Sequence, residues 1–161
     1  MPTPTYDLIA SNVLTSSASS VTFSSIPATY RDLIVVCTTK STTTYHTVYI
    51  RFNSDTGSNY PTVRAFGFTS AGSDSATYSF IDANLGIDAG NFQTTISNIM
   101  DYSATDKHKT VLSRANGTPN YVAMTASRWA NTSAINSVNI FNATAVNFDS
   151  GSSFYLYGIV S

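Results

Sequence analysis

The sequence contains no glutamate, one glutamine and three lysines among its 161 residues. Straight-chain polar residues furnish the solvent-facing sides of helices, so their scarcity argues against long surface helices. Charged residues make up 11% of the chain, well below the roughly 25% of an ordinary soluble domain. The formal net charge is -1, which offers no attractive field to nucleic acid or to an anionic membrane surface. Neither kind of partner is expected.

Cysteine and histidine are nearly absent as well. Cys37 is the single cysteine and lies in an apolar run, so we predict a buried side chain and no disulfide within the chain. The two histidines, His46 and His108, lack zinc-ligand spacing. Glycine-rich phosphate loops, the G-x-S-x-G turn and C-x-x-C pairs are missing too. We therefore predict no cofactor, no metal, no catalytic residue and no enzymatic activity.

Serine and threonine together number 47, and valine and isoleucine 22, a composition that favours short β-strands joined by polar turns. The periodicity predicts about ten strands in one all-β domain, a jelly-roll-like antiparallel β-sandwich over residues 6–161. Residues 1–5, with Pro2 and Pro4, are predicted to form an extended N-terminal arm. The candidate strands are 6–10, 21–23, 32–39, 45–52, 63–69, 77–81, 92–100, 109–114, 121–129, 134–141 and 154–160.

Some pairings and turns can also be predicted. The first two strands are expected to form a hairpin, and 32–39 to be the central strand because it is apolar throughout. Residues 71–75 are small and are expected to form a turn. The Asn116-Gly117 pair favours a hairpin between the flanking strands, since both residues accept positive φ.

Turn-forming residues concentrate over 53–61, which predicts a projecting, solvated loop. Asp55, with Asn53 and Asn59, offers the oxygen ligands that calcium prefers. The spacing, however, lacks the order of an EF-hand loop. We therefore expect a solvated loop and no calcium site.

Aromatic residues form 12% of the chain and can serve either a core or a recognition surface. Both alternatives stay open for Tyr45, Tyr49 and Tyr60. Trp129 closes a strand, where it either packs at the strand end or offers a platform on which a sugar could stack. The candidate interface residues are Pro2, Pro4, Tyr45, Tyr49, Tyr60 and Trp129.

Three stretches of the sequence resemble the small virion proteins of tailed bacteriophages. They are residues 6–11 with 21–33, residues 51–60, and residues 148–151 with 154–159. The likeness reaches from near the start to the end of the chain, but the middle, around 78–92, resembles nothing specific.

The resemblance implies a structural protein of a phage particle. One form is a capsid decoration, or cement, protein that binds the outside of the head and stabilises contacts between capsomers, commonly as a homotrimer. Its partners would be the major capsid protein or other virion proteins. It would be made in the host cytoplasm without a signal peptide and reside on the outer surface of the particle. The alternative is a tail-fibre or other tail component that binds a receptor or a cell-surface glycan. A non-viral carbohydrate-binding module or hydrolase is a further alternative.

Overall fold

The computed structural model describes residues 4–43, 47–85, 89–117, 120–143 and 146–160. Twelve β-strands account for most of them. None of the described residues lies in a helix that could span a membrane. The strands are β1 (Tyr6–Val13), β2 (Ser20–Phe23), β3 (Asp32–Thr39), β4 (Thr47–Phe52), β5 (Tyr60–Gly67), β6 (Ala71–Tyr78), β7 (Ile81–Leu85), β8 (Gln93–Met100), β9 (Lys109–Gly117), β10 (Tyr121–Trp129), β11 (Val138–Phe141) and β12 (Ser153–Ile159).

The strands form two sheets, and the chain crosses repeatedly between them. The large sheet has eight strands in the order β1-β12-β3-β8-β9-β10-β5-β6, and the small sheet has four in the order β2-β11-β4-β7. Neighbouring strands are antiparallel throughout. The predicted all-β antiparallel sandwich in a single domain is confirmed.

The central strand predicted at 32–39 and the hairpin between the strands predicted at 109–114 and 121–129 are also confirmed. β3 lies between β12 and β8 in the large sheet. Its Leu33, Val35 and Cys37 side chains are buried between the sheets, and burial raises the pKa of the Cys37 thiol. β9 and β10 form the predicted hairpin, but Asn116 and Gly117 are not its turn: they lie within β9 opposite Val122 and Tyr121, and neither has positive φ.

Some local predictions are wrong. β1 and β2 form no hairpin, because β1 pairs with β12 at one edge of the large sheet and β2 pairs with β11 in the small sheet. Residues 71–75 belong to strand β6, which pairs with β5 along its whole length. Small side chains favoured a turn there, but pairing with β5 satisfies the backbone of this edge strand and overrides the local preference.

Several of the side chains that β8, β9 and β10 turn toward the interior are polar. Ser97, Ser113 and Thr125 lie side by side across these strands, each nearly inaccessible to solvent, and the Ser97 and Ser113 hydroxyls lie 2.8 Å apart. Strand β7 approaches β5, β8, β9 and β10 to within 8 Å between Cα atoms. Stacked sheets usually lie about 10 Å apart. Small side chains on this inner face allow the close approach.

A buried lysine holds the loops at one end of the sandwich. Lys109 is fully buried, and its Nζ donates to the carbonyl oxygens of Ala104 at 2.5 Å, Thr132 at 2.9 Å and Lys107 at 3.0 Å. The ammonium group also lies 5.9 Å from the centre of the Trp129 ring. Burial lowers the pKa of Lys109. The carbonyl oxygens replace the water molecules that the ammonium group loses on burial.

We predict that Lys109→Met destabilises the fold by about 2–4 kcal/mol, because it leaves three carbonyl acceptors without their donor. Lys107→Met is the matched control, since the Lys107 side chain is 51% exposed and contributes little. The measurement is the free energy of unfolding in urea. Equal stability of the two variants would contradict the role of Lys109.

A second buried charge ties β7 to the large sheet. Asp82 Oδ2 accepts from Arg64 Nη1 at 3.0 Å, and Arg64 Nη2 also donates to Asp74 at 2.6 Å. Asp82 Oδ1 has no partner among the described residues. Burial raises the pKa of Asp82 to about 6, with Arg64 opposing the shift and Asp74 adding to it. Two neutral titratable groups, Tyr49 on β4 and Tyr121 on β10, lie close enough to interact electrostatically with Asp82.

The raised pKa of Asp82 predicts that the protein gains stability as the pH falls. The folded carboxyl holds its proton below about pH 6 and the unfolded one only below its ordinary value of 3.8, so protonation favours the folded state. We expect a gain of about 1–2 kcal/mol between roughly pH 7.5 and pH 5. Asp82→Asn should flatten this dependence in urea unfolding measured across that range. A variant with the wild-type pH profile would show that another group is responsible.

Candidate interaction surface

The outer face of the large sheet, turned away from the small sheet, carries most of the exposed apolar side chains. Ten large apolar residues are exposed among the described residues, and strand register places eight of them on this face. The eight are Tyr6, Leu8, Val13, Val63, Met100, Leu112, Val122 and Met124.

Five of these side chains cluster on neighbouring strands, and we call this cluster the apolar face. It consists of Val63 on β5, Met100 on β8, Leu112 on β9, and Val122 and Met124 on β10. Met124 is 63% exposed and Val122 60%. Contiguous apolar patches on a soluble protein mark sites of interaction with another molecule.

The apolar face follows from the polar interior. Successive residues of a strand point to opposite sides of a sheet. The small residues Ser113 and Thr125 point inward to accommodate β7, so their neighbours Leu112 and Met124 must point outward. On β5, β8, β9 and β10 the outward charged side chains are Arg114 and Arg128. This surface therefore combines the apolar face with two cations and several uncharged polar side chains, among them Asn98 and Thr110.

Two of the predicted interface residues lie in the core. Tyr60 and Trp129 are 0% and 1% exposed, and their rings stack with centroids 6.4 Å apart. The Tyr60 hydroxyl donates to the Asp55 carbonyl at 3.1 Å, and burial raises the pKa of Tyr60 to about 12. Trp129 Nε1 donates to Asp55 Oδ2 at 2.8 Å. Their position corresponds to the core alternative, and neither ring is accessible to a ligand.

The turn-rich segment before β5 is exposed at Ser54 and at residues 56–58, as predicted for a solvated loop, but the side chains of Asn53 and Asp55 tie it to the body of the protein. Asp55 Oδ1 accepts from the Gly57 backbone at 2.9 Å, and Oδ2 accepts from Asn59 at 2.8 Å. Asn53 Oδ1 accepts from the backbone of Asn136 at 2.9 Å. Although burial acts to raise it, the pKa of Asp55 is lowered because hydrogen bonds from Asn59, Gly57 and Trp129 stabilise the charged form.

Protein donors thus bind the side-chain oxygens of Asp55 and Asn53. No group of three His, Cys or Asp side chains in the part of the chain that the structure describes could hold a metal ion.

Tyr49 is half-buried on the outer face of the small sheet. Its ring stacks on Phe80 at 4.0 Å between centroids, and Phe80 stacks in turn on Tyr78 at 5.3 Å. The Arg51 guanidinium lies 4.5 Å from the centre of the Phe141 ring. These groups contact one another across their ring faces, so the cluster is a small core that closes the outside of this sheet.

The remaining candidates lie at or beyond the limits of the described residues. Pro2 and Tyr45 lie outside them. Pro4 is exposed, and the carbonyl of the following residue, Thr5, accepts from the Val160 backbone at 3.1 Å. The proposed arm is thus joined to the end of β12 at Thr5.

Sequence reasoning missed the apolar face altogether. The alternation in β9 and β10 is visible in the sequence, but each face of these strands mixes polar and apolar residues. The usable signal was that small residues such as Ser113, Ala123 and Thr125 occupy one face of these strands, whereas Leu112, Val122 and Met124 occupy the other.

Comparisons with known proteins give little further information. No family model and no curated protein matches the chain. One solved structure, described as a protein of unknown function from Shewanella oneidensis MR-1, is similar over 96% of this chain and 79% of that chain, with 9% sequence identity and a TM-score of 0.23. A likeness at this level supports no argument about fold or function.

We predict that the apolar face contributes little to folding of the isolated chain. Met124→Ala should change the free energy of unfolding by about 0.5 kcal/mol or less, because the side chain is mostly exposed. Leu33→Ala is the control, and full burial of Leu33 predicts a loss of about 2–5 kcal/mol. Urea denaturation measures both. A large loss for Met124→Ala would mean that the side chain packs within the chain.

Proposed function

We propose that this chain is a structural protein of a phage particle, of the capsid decoration type, which binds the outside of the head and stabilises contacts between capsomers. The observation that carries the proposal is the apolar face, where Val63, Val122 and Met124 are more than half exposed. An isolated protein gains nothing from exposing such side chains, whereas covering them stabilises a complex by about 25 cal/mol per Å² of apolar surface.

The role is mechanical and not catalytic. The resemblance to virion proteins supports this proposal, as does the low content of charged residues. The alternative, a tail component that binds a glycan, needs accessible aromatic ring faces. Trp129 and Tyr60 are buried, and the ring of Tyr49 contacts Phe80. The aromatic residues predicted to serve as sugar platforms are therefore inaccessible, and a glycan-binding role would have to use other rings, such as the exposed Tyr6, Phe68 or Phe92.

Attachment would depend on several weak contacts. A decoration protein touches more than one capsid subunit, and a homotrimer multiplies the number of contacts. Each further contact forms at high effective concentration, so avidity rather than one tight pocket holds the protein on the shell. The proposed N-terminal arm, residues 1–5, would add one such contact.

The proposal predicts that the chain stays bound to phage particles when the salt concentration is raised. Apolar contacts are not screened, so washing purified particles with about 0.3 M NaCl should leave the chain on the head, as measured by quantitative mass spectrometry of pelleted particles. Its copy number should be comparable to that of the major capsid subunit. Met124→Asp should lower occupancy, whereas Phe68→Asp, an exposed apolar residue in the turn after β5, should not. Release by this salt wash, or a few copies confined to the tail, would contradict the proposal.

A further inference from the structure

Arg114 and Arg128 lie on either side of the centre of the apolar face. Leu112 on β9 and Ala126 on β10 face each other in register. Arg114 lies two residues beyond Leu112 on β9, and Arg128 two residues beyond Ala126 on β10. Because Arg114 pairs in register with Met124, four residues before Arg128, the two cations project about 13 Å apart along the strands.

Neither arginine has an ionic partner within the parts of the chain that the structure describes. The ion pairs among the described residues are Arg31–Asp32, Arg64–Asp74, Arg64–Asp82 and Lys107–Asp101. Both Arg114 and Arg128 are exposed. Arginine is the side chain best suited to bind a carboxylate through two parallel hydrogen bonds.

We propose that the apolar face docks onto a different protein, whose own apolar patch is flanked by two carboxylates about 13 Å apart. This inference rests on the proposed function and specifies the surface of the capsid subunit that this chain covers. The apolar centre provides the affinity, and the two arginines determine the orientation of docking.

Charge argues against a second copy of this chain as the occupant. A two-fold contact brings the same patch of both copies together. The charged groups on this part of the sheet are the cations Arg114 and Arg128, so two copies would bring arginine towards arginine in a contact that excludes water. Like charges placed together in an interface are unfavourable. A two-fold dimer would therefore have to form through another surface.

The test uses phage shells from which the chain has been removed, with the purified full chain added back. We expect the double variant Arg114→Glu, Arg128→Glu to bind about tenfold or more weakly than wild type. Lys107→Glu reverses one charge, as each of the two substitutions does, at an exposed side chain in the loop between β8 and β9 and outside the apolar face, and it should bind as wild type. Circular dichroism and urea unfolding of all three proteins verify that the variants fold.

Sedimentation of the free proteins distinguishes the occupants. The double variant and Met124→Asp should keep the oligomeric state of the wild type. If Met124→Asp dissociates the oligomer, a second copy covers the face and the inference is wrong. If wild type binds shells and the double variant binds equally well, the inference fails while the proposed function stands. If wild type itself does not bind shells, both fail.

Discussion

The close approach of β7 to the large sheet is the constraint on which the rest of the structure depends. β7 lies at the edge of the small sheet and approaches β5, β8, β9 and β10, whose buried inner residues include Ser97, Ser113 and Thr125. Large side chains at these positions would push the sheets apart. Because side chains alternate along a strand, the small inward residues require that the intervening large residues, Leu112 and Met124, point outward.

The polar interior has an energetic consequence. The charged pair between Asp82 and Arg64 joins the sheets at this edge, and Asp82 remains imperfectly satisfied. Buried pairs of this kind add little net stability, because removing both charges from water costs much of what their attraction returns. The larger apolar core lies elsewhere, around β3, β4, β11 and β12, where Leu33, Val48 and Phe154 are fully buried. The apolar face thus lies on the part of the large sheet whose inner side is the more polar one.

The local sequence pattern predicted where most strands lie but not which strands pair with each other. Alternation and turn residues predicted most strand positions, the antiparallel class and the β9–β10 hairpin. The partner of β1 could not be predicted, because its pairing with β12 joins Tyr6 to Ile159, and no local signal encodes so distant a contact. For Tyr60 and Trp129 the core alternative is the one found, and the sequence could not select it, because both side chains donate hydrogen bonds to Asp55 in a loop predicted to be solvated. For β9 and β10, alternation defines two faces, but only the position of β7 determines which one is inside.

The central claim is that the apolar face is open to solvent in the free protein and covered in the assembled particle. Oxidation of Met100 and Met124 by hydroxyl radicals, followed by mass spectrometry, measures this most directly, because both thioethers are exposed in the chain. Phe68, exposed at the turn after β5, serves as the internal control. The account predicts rapid oxidation of Met124 in the free chain and strong protection in the particle, with Phe68 unchanged. Equal oxidation of Met124 in the two states would contradict it.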